Sequence, residues 1–146
     1  MLTRKTKYGL KAALVLAREH GRGPVLIAEL CQQERIPKKF LESILLALKH
    51  RGLVRSLRGP GGGYLLVRPP DRISVGEVIR ALDGPLALVS CVSQTAYAPC
   101  EECITERDCA VRRLFQTVRD ETARILDGTT LASAARIKRL KPGAAK

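Results

Sequence analysis

The sequence has no tryptophan, and three tyrosines and two phenylalanines are its only aromatic residues. So few rings cannot fill a core, which must instead come from Leu, Ile, Val and Ala, a composition suited to packed helices. No apolar run approaches the roughly 20 residues that a membrane-spanning helix needs. The first apolar stretch is interrupted by Arg18 and Glu19 and sets Leu10, Ala13, Leu14 and Ala17 at helical spacing. It reads as an amphipathic core helix and not as an export signal. The expectation is a cytoplasmic protein with no membrane partner, in a reducing compartment where five cysteines serve metal or redox chemistry before disulfides. Histidine is scarce as well: His20 and His50 fall at predicted helix ends beside no nucleophile or carboxylate pair. That argues against an enzyme.

Acidic residues are few where the chain begins. Residues 1–58 hold 13 Lys/Arg against 4 Asp/Glu, a net of +9 out of +12 for the whole chain of 146 residues. A basic first half is the electrostatic footprint of a polyphosphate binder. The total length fits one domain with at most an appended element.

The periodicity predicts a helix from Thr3 to about His20, ended by Gly21, Gly23 and Pro24, and a short second helix from about Ile27 to Glu34. Pro37 opens a third helix whose inward face is Phe40, Leu41, Ile44, Leu45 and Leu48, with Gly52 as its C-terminal cap. The period then changes. Leu53 to Leu57 and Tyr64 to Val67 read as two strands around Gly59-Pro60-Gly61-Gly62-Gly63, a β-hairpin. Ser74 and Glu77 form a capping box for a short helix that stops before Gly84 and Pro85. A stretch without periodicity follows to Cys109. Val111, Leu114, Phe115, Val118, Thr122 and Ile125 then stripe one face of a long helix capped by Gly128, whose length and isolation suggest that it packs on a partner chain. A last helix follows Thr130.

The fold class expected is mainly α with a small β-hairpin wing: a winged helix-turn-helix plus a long C-terminal dimerisation helix. Its parts are residues 1–83 for DNA binding, 84–109 as a cysteine-rich cluster loop, 110–140 for dimerisation with the C-terminal helix, and 141–146 as a disordered tail.

In helix-turn-helix proteins the recognition helix lies in the major groove with its N-terminal residues towards base edges. With the apolar face turned inward, Lys38, Lys39, Glu42 and Ser43 project outward at that end. Lys can donate to guanine or phosphate, Glu can accept from cytosine, and Ser serves either. Arg55 and Arg58 lead into the hairpin tip at Gly59, Pro60 and Gly61, where a backbone without side chains can approach another molecule closely. Neither GxGxxG nor GxxxxGK[ST] is satisfied, so a nucleotide loop is not indicated. A protein-interaction module built on the long helix is the alternative class, and it leaves the basic wing without a purpose.

Cys91, Cys100, Cys103 and Cys109 crowd into one irregular segment flanked by Glu101, Glu102, Glu106 and Asp108, and at least three of them read as metal ligands. Zinc is the plain alternative, although its usual pair of CxxC motifs is reduced here to Cys100 and Cys103. Cys31 sits in the second helix, where a core cysteine is the default.

Lys7-Tyr8-Gly9-Leu10, Gly52-Leu53-Val54, Arg58-Gly59-Pro60-Gly61-Gly62-Gly63-Tyr64-Leu65-Leu66 and Val75-Gly76-Glu77-Val78-Ile79 together resemble the Rrf-two-type regulators, the family that contains IscR and NsrR. The resemblance spans about residues 1–132. It implies a homodimer whose long helices cross and whose two winged helices read a pseudo-palindromic operator in double-stranded DNA, with contacts also near Lys5, Lys7 and Tyr8. It further implies an iron–sulfur cluster, [2Fe-2S] or [4Fe-4S], on Cys91, Cys103 and Cys109. The family's histidine ligand, where there is one, falls at Arg112, so Cys100 is the fourth donor on offer. A cofactor-free thiol switch also occurs in the family and stays open, as does zinc.

Overall fold

The computed structural model describes residues 2–136; the expected tail and the end of the last helix lie outside the described residues. Six helices and one hairpin follow in the expected order: α1 (Arg4–Arg18), α2 (Ile27–Glu34), α3 (Lys38–His50), β1 (Val54–Leu57), β2 (Gly63–Leu66), α4 (Val75–Asp83), α5 (Ala110–Gly128) and α6 (Leu131–Ala135). The fold class is the expected one.

Local chemistry explains most boundaries. Thr3 caps α1 by accepting the Thr6 N–H at 3.2 Å. Ser74 and Glu77 form the anticipated capping box on α4, each satisfying a backbone N–H of the other. At the end of α3, Gly52 at φ +71° lets its own N–H reach Lys49 O and the Leu53 N–H reach Leu48 O, both at 3.0 Å. That pair of bonds is the Schellman closure, which needs a left-handed residue at the Gly52 position.

The turn between α2 and α3 uses the same device without glycine. Arg35 sits at φ 53°, ψ 48°, the one described non-glycine residue with positive φ, and the chain closes by Ile36 N–H donating to Cys31 O at 3.1 Å. A left-handed side-chain-bearing residue costs about 1–2 kcal/mol relative to glycine.

The core is aliphatic, as the shortage of rings required. Leu41, Ile44, Leu45 and Leu48 of α3 pack with Ala12, Val15 and Leu16 of α1, with Leu30 of α2 and with Val78 of α4. Each of the four α3 side chains is at most 1% exposed, so each contributes roughly 1.5–3 kcal/mol of burial. The hairpin pairs Val54 with Leu66 and Leu57 with Gly63. It is anchored to the helices by Val25, which exchanges two backbone bonds with Tyr64 at 2.8 and 2.9 Å. Gly63, at φ +145°, makes this possible because a Cβ there would stand 2.5 Å from Val25 O. Gly63→Ala should therefore detach the wing from its anchor at a cost on the order of 1–3 kcal/mol, read as a lower denaturation midpoint. An unchanged midpoint would remove this account of the anchor.

Two expectations fail. Gly128 does not cap α5 as a left-handed residue: it is the last helical residue, and the chain leaves through extended Thr129, whose hydroxyl donates to Ile125 O at 2.7 Å. The reason is tertiary, since Thr129 O accepts the Val75 N–H and Leu131 N–H reaches Ile73 O, tying this corner to the start of α4. Phe40 is also not a core residue: it is 37% exposed.

That corner is reinforced by charge. Arg80 donates two hydrogen bonds to the Asp127 carboxylate at 2.6 and 2.9 Å. The bonded guanidinium holds Asp127 below the usual carboxylate range and raises Arg80 in return. The C-terminal end of α5 is thus fixed to α4, while its N-terminal end runs out to the cysteine loop.

Candidate DNA-reading surface and cysteine pocket

The basic surface is assembled from α1, α3 and the hairpin. Lys38, Lys39, Glu42 and Ser43 are all exposed on the N-terminal half of α3. No acidic residue and no side-chain cap occupies the first turn of that helix, whose N-cap is Pro37. The unbonded N–H groups and the positive end of the helix dipole therefore stand among lysines, an arrangement that favours an anion. The Ser43 hydroxyl donates to Phe40 O at 2.9 Å, which leaves its lone pairs for a partner.

Phe40 was missed as part of this surface because its place in the apolar stripe pointed inward. Its ring meets Tyr8 edge-on, centroids 5.5 Å apart and planes at 88°. The pair joins the beginning of α1, which carries half-buried Lys5 and exposed Lys7, to the beginning of α3. Only a tertiary contact between residues distant in sequence could have shown it.

On the other side of α3, Lys49 Nζ donates to Ser56 Oγ at 3.0 Å, linking the helix to β1. Arg55, Arg58, Gly59, Pro60 and Gly61 are all exposed along β1 and the hairpin tip. Gly62 N–H closes the tip onto Gly59 O at 2.9 Å, with Gly59 and Gly61 at φ +86° and +74°. These left-handed positions account for the glycines, and they leave the tip with little side chain beyond Arg58.

The four loop cysteines come together. Cys91, Cys100, Cys103 and Cys109 line one cavity of about 810 Å³ with Leu88, Ile104, Val111 and Arg112 among its other walls, and none is paired. Cys31 lies apart on α2, packed half-buried against the core as its helix position suggested. Cys91 rides on a single 3₁₀ turn, Ser90–Val92, held to α5 by Arg119 donating to Val92 O at 2.5 Å. Cys100 and Cys103 share a turn closed by Cys103 N–H to Cys100 O at 3.2 Å. Cys109 is the N-cap of α5, its sulfur accepting the Arg112 N–H at 3.4 Å. Burial, then the nearby Glu106 charge and the other thiols, push the Cys103 thiol up.

Tyr97 hydrogen-bonds Glu106, which holds the phenol above its ordinary range, and Glu106 lies 3.9 Å from Arg112 Nε. That Nε is buried with no hydrogen-bond acceptor. Arg112, in ion-pair range of Glu106, and the N-terminus of α5 stand beside the four thiols, with Glu102 and Asp108 also in the cavity walls. Among the described residues no three His, Cys, Asp or Glu side chains gather tightly enough to hold one metal ion. The sulfurs of a tetrahedral zinc site would stand only about 3.8 Å apart, from Zn–S bonds of about 2.3 Å. The donor set, four thiols around one cavity, fits a thiolate-ligated cluster in kind. No described helix is long and apolar enough to cross a membrane.

Known proteins share this fold. An rrf2-like HTH-type transcriptional regulator of Rhodobacter capsulatus is 42% identical over 134 residues, covering 90% of this chain and 89% of that one. The HTH-type transcriptional regulator IscR of Sodalis glossinidius is 40% identical over 114 residues, covering 76% of this chain and 69% of its own. The solved structure of CymR, the global cysteine regulator of B. subtilis, superposes with a TM-score of 0.79 at 33% identity, covering 95% of this chain and 98% of that one. The Rrf2 family model, described as an iron-dependent transcriptional regulator, matches residues 2–136, so this chain belongs to the Rrf2 family of winged-helix, DNA-binding transcription regulators.

Proposed function

We propose that this regulator is a cytoplasmic homodimer that reads a pseudo-palindromic operator and couples that binding to a thiolate-ligated iron–sulfur cluster in the cavity at the start of α5. In this reading residues 1–83 bind DNA, 84–109 hold the cluster and 110–140 dimerise. The observation that carries it is the convergence of four unpaired thiols on one cavity whose walls include the N-terminus of α5 and Arg112. Cys91, Cys103 and Cys109 are the three ligands, and Cys100 supplies the fourth. When bound, the cluster offers a group whose oxidation state or loss changes with iron, oxygen or nitric oxide. The protein's own part is mechanical: Cys109 is the N-cap of a helix whose other end is fixed to α4 by Arg80 and Asp127. A change of loop structure at Cys109 can therefore reach the winged helices if holo and apo forms differ in operator affinity.

The absorption spectrum of anaerobically purified protein, with iron, sulfide and zinc analysis, tests this. Visible absorption with iron and sulfide supports the cluster. One zinc per chain in colourless protein overturns it in favour of a structural site. Metal-free protein whose operator affinity follows thiol oxidation would favour a thiol switch, a second reading that draws on the likeness to CymR and on the exposed Cys100.

For the DNA-reading surface, Arg58→Ala should weaken binding to operator and random duplex alike and flatten the salt dependence by roughly one unit of slope per bound chain, as loss of a phosphate contact does. Glu42→Ala should instead change base preference, because a carboxylate reads cytosine and not phosphate. Parental behaviour of both variants on both DNAs would misplace the surface.

A further inference from the structure

Arg35 is the described side-chain-bearing residue held in the left-handed conformation, and it occupies the turn that delivers α3. Nothing in the turn asks for arginine. The conformation would be free for glycine and mild for asparagine, the chain closure uses only the backbone of Ile36 and Cys31, and the buried neighbour is Ile36 and not Arg35. The side chain is exposed, and among the described residues it makes no hydrogen bond or ion pair. Its neighbour Glu34 differs in both respects, being buried and in ion-pair range of Lys11. The arginine is thus kept at a position that penalises it, with its charge unused inside the chain.

The place of that charge is informative. Arg35 precedes Lys38 by three residues, so their Cα atoms are at most about 11 Å apart. Lys38 and Lys39 begin the helix whose N-terminal residues face base edges in this fold. Phosphates flank those bases about every 3.4 Å of helix axis on each strand, so a long cationic side chain on the preceding turn is of a length to reach one. Its planar fork suits two phosphate oxygens at once.

We propose that Arg35 is a DNA phosphate contact, a clamp that fixes the turn between α2 and α3 against the backbone beside the bases read by α3. The proposal rests on the DNA-reading role of α3 and adds to it a residue outside the helix and the wing. Because the contact is to phosphate, it strengthens binding to every sequence and carries no base preference.

The test uses the full-length protein and three variants, Arg35→Gly, Arg35→Ala and Arg35→Lys, on a promoter fragment retained by the parent and on a random-sequence duplex. Arg35→Gly removes strain and charge together. It should melt roughly 3–6 °C higher than the parent, yet bind both DNAs roughly tenfold or more weakly at moderate salt, with the slope of log K against log salt shallower by about 0.9 per chain. Arg35→Ala keeps the strain and loses the charge, so it should bind as weakly without the gain in melting temperature. Arg35→Lys should retain most of the slope. Parental affinity and slope in Arg35→Gly, or a loss confined to the promoter fragment, would overturn the proposal. A parent that itself shows no salt-sensitive retention on any DNA would instead strike at the DNA-reading function on which it rests.

Discussion

Protein carrying alanine at Cys103 is expected to emerge from anaerobic reconstitution without visible absorption, and the same is expected of Cys91→Ala and Cys109→Ala. Each of these thiols is half-buried on the wall of the shared cavity, whereas Cys100 is exposed. Burial and neighbouring negative charge push the Cys103 thiol up, so as a free group it stays protonated at neutral pH; a metal centre must displace that proton, and its binding therefore strengthens as pH rises. Cys109 needs a finer variant because its sulfur also caps α5. Cys109→Ser keeps an N-cap acceptor and should preserve the helix while losing the chromophore, which separates ligation from capping. Cys100→Ala should retain a weaker, more oxygen-sensitive chromophore. Full absorption with stoichiometric iron in Cys103→Ala would refute the ligand set, and equal operator affinity of holo and apo parent would remove the sensing claim while leaving DNA binding intact.

Much of the fold was legible because its signals are local. Ser74 with Glu77, Pro37 before α3 and Gly52 after it act over three or four residues, and the helical and strand periods change where the structure changes. The cysteines were legible as a group for the same reason, since they crowd one short loop. What the sequence could not show is long-range. Phe40 lies in the apolar stripe of α3 and reads as core until Tyr8, from another helix, is found at its edge. Gly128 resembles a helix cap until Thr129 and Leu131 are seen bonded to Val75 and Ile73. Val25 carries no strand pattern, yet it anchors the wing through Tyr64. Arg35 hides in the other direction: a glycine in its place would have announced the turn, and an arginine does not.

Disrupting the stripe on α5 should have the other large effect. Across its 19 residues α5 buries no side chain fully, and Val111, Leu114 and Ile125 are 58%, 60% and 53% exposed. Phe115 and Val118 on the same stripe are only partly covered. A single chain gains nothing from presenting this face to water, and covering it with its two-fold copy buries each residue twice, at roughly 1.5–3 kcal/mol for each side chain fully removed from solvent. Leu114→Glu puts a carboxylate on that apolar surface, and in the proposed dimer covering it would mean desolvating the charge. Sedimentation at micromolar concentration should then show a monomer. Operator affinity should fall by 10²-fold or more, because two winged helices on one dimer bind as a linked pair and two separate chains do not. The melting of the winged-helix core should barely change, since Leu114 packs on none of it in the isolated chain. A variant that stays dimeric, or a monomer that keeps parental operator affinity, would show that the pairing surface lies elsewhere or that a single winged helix suffices.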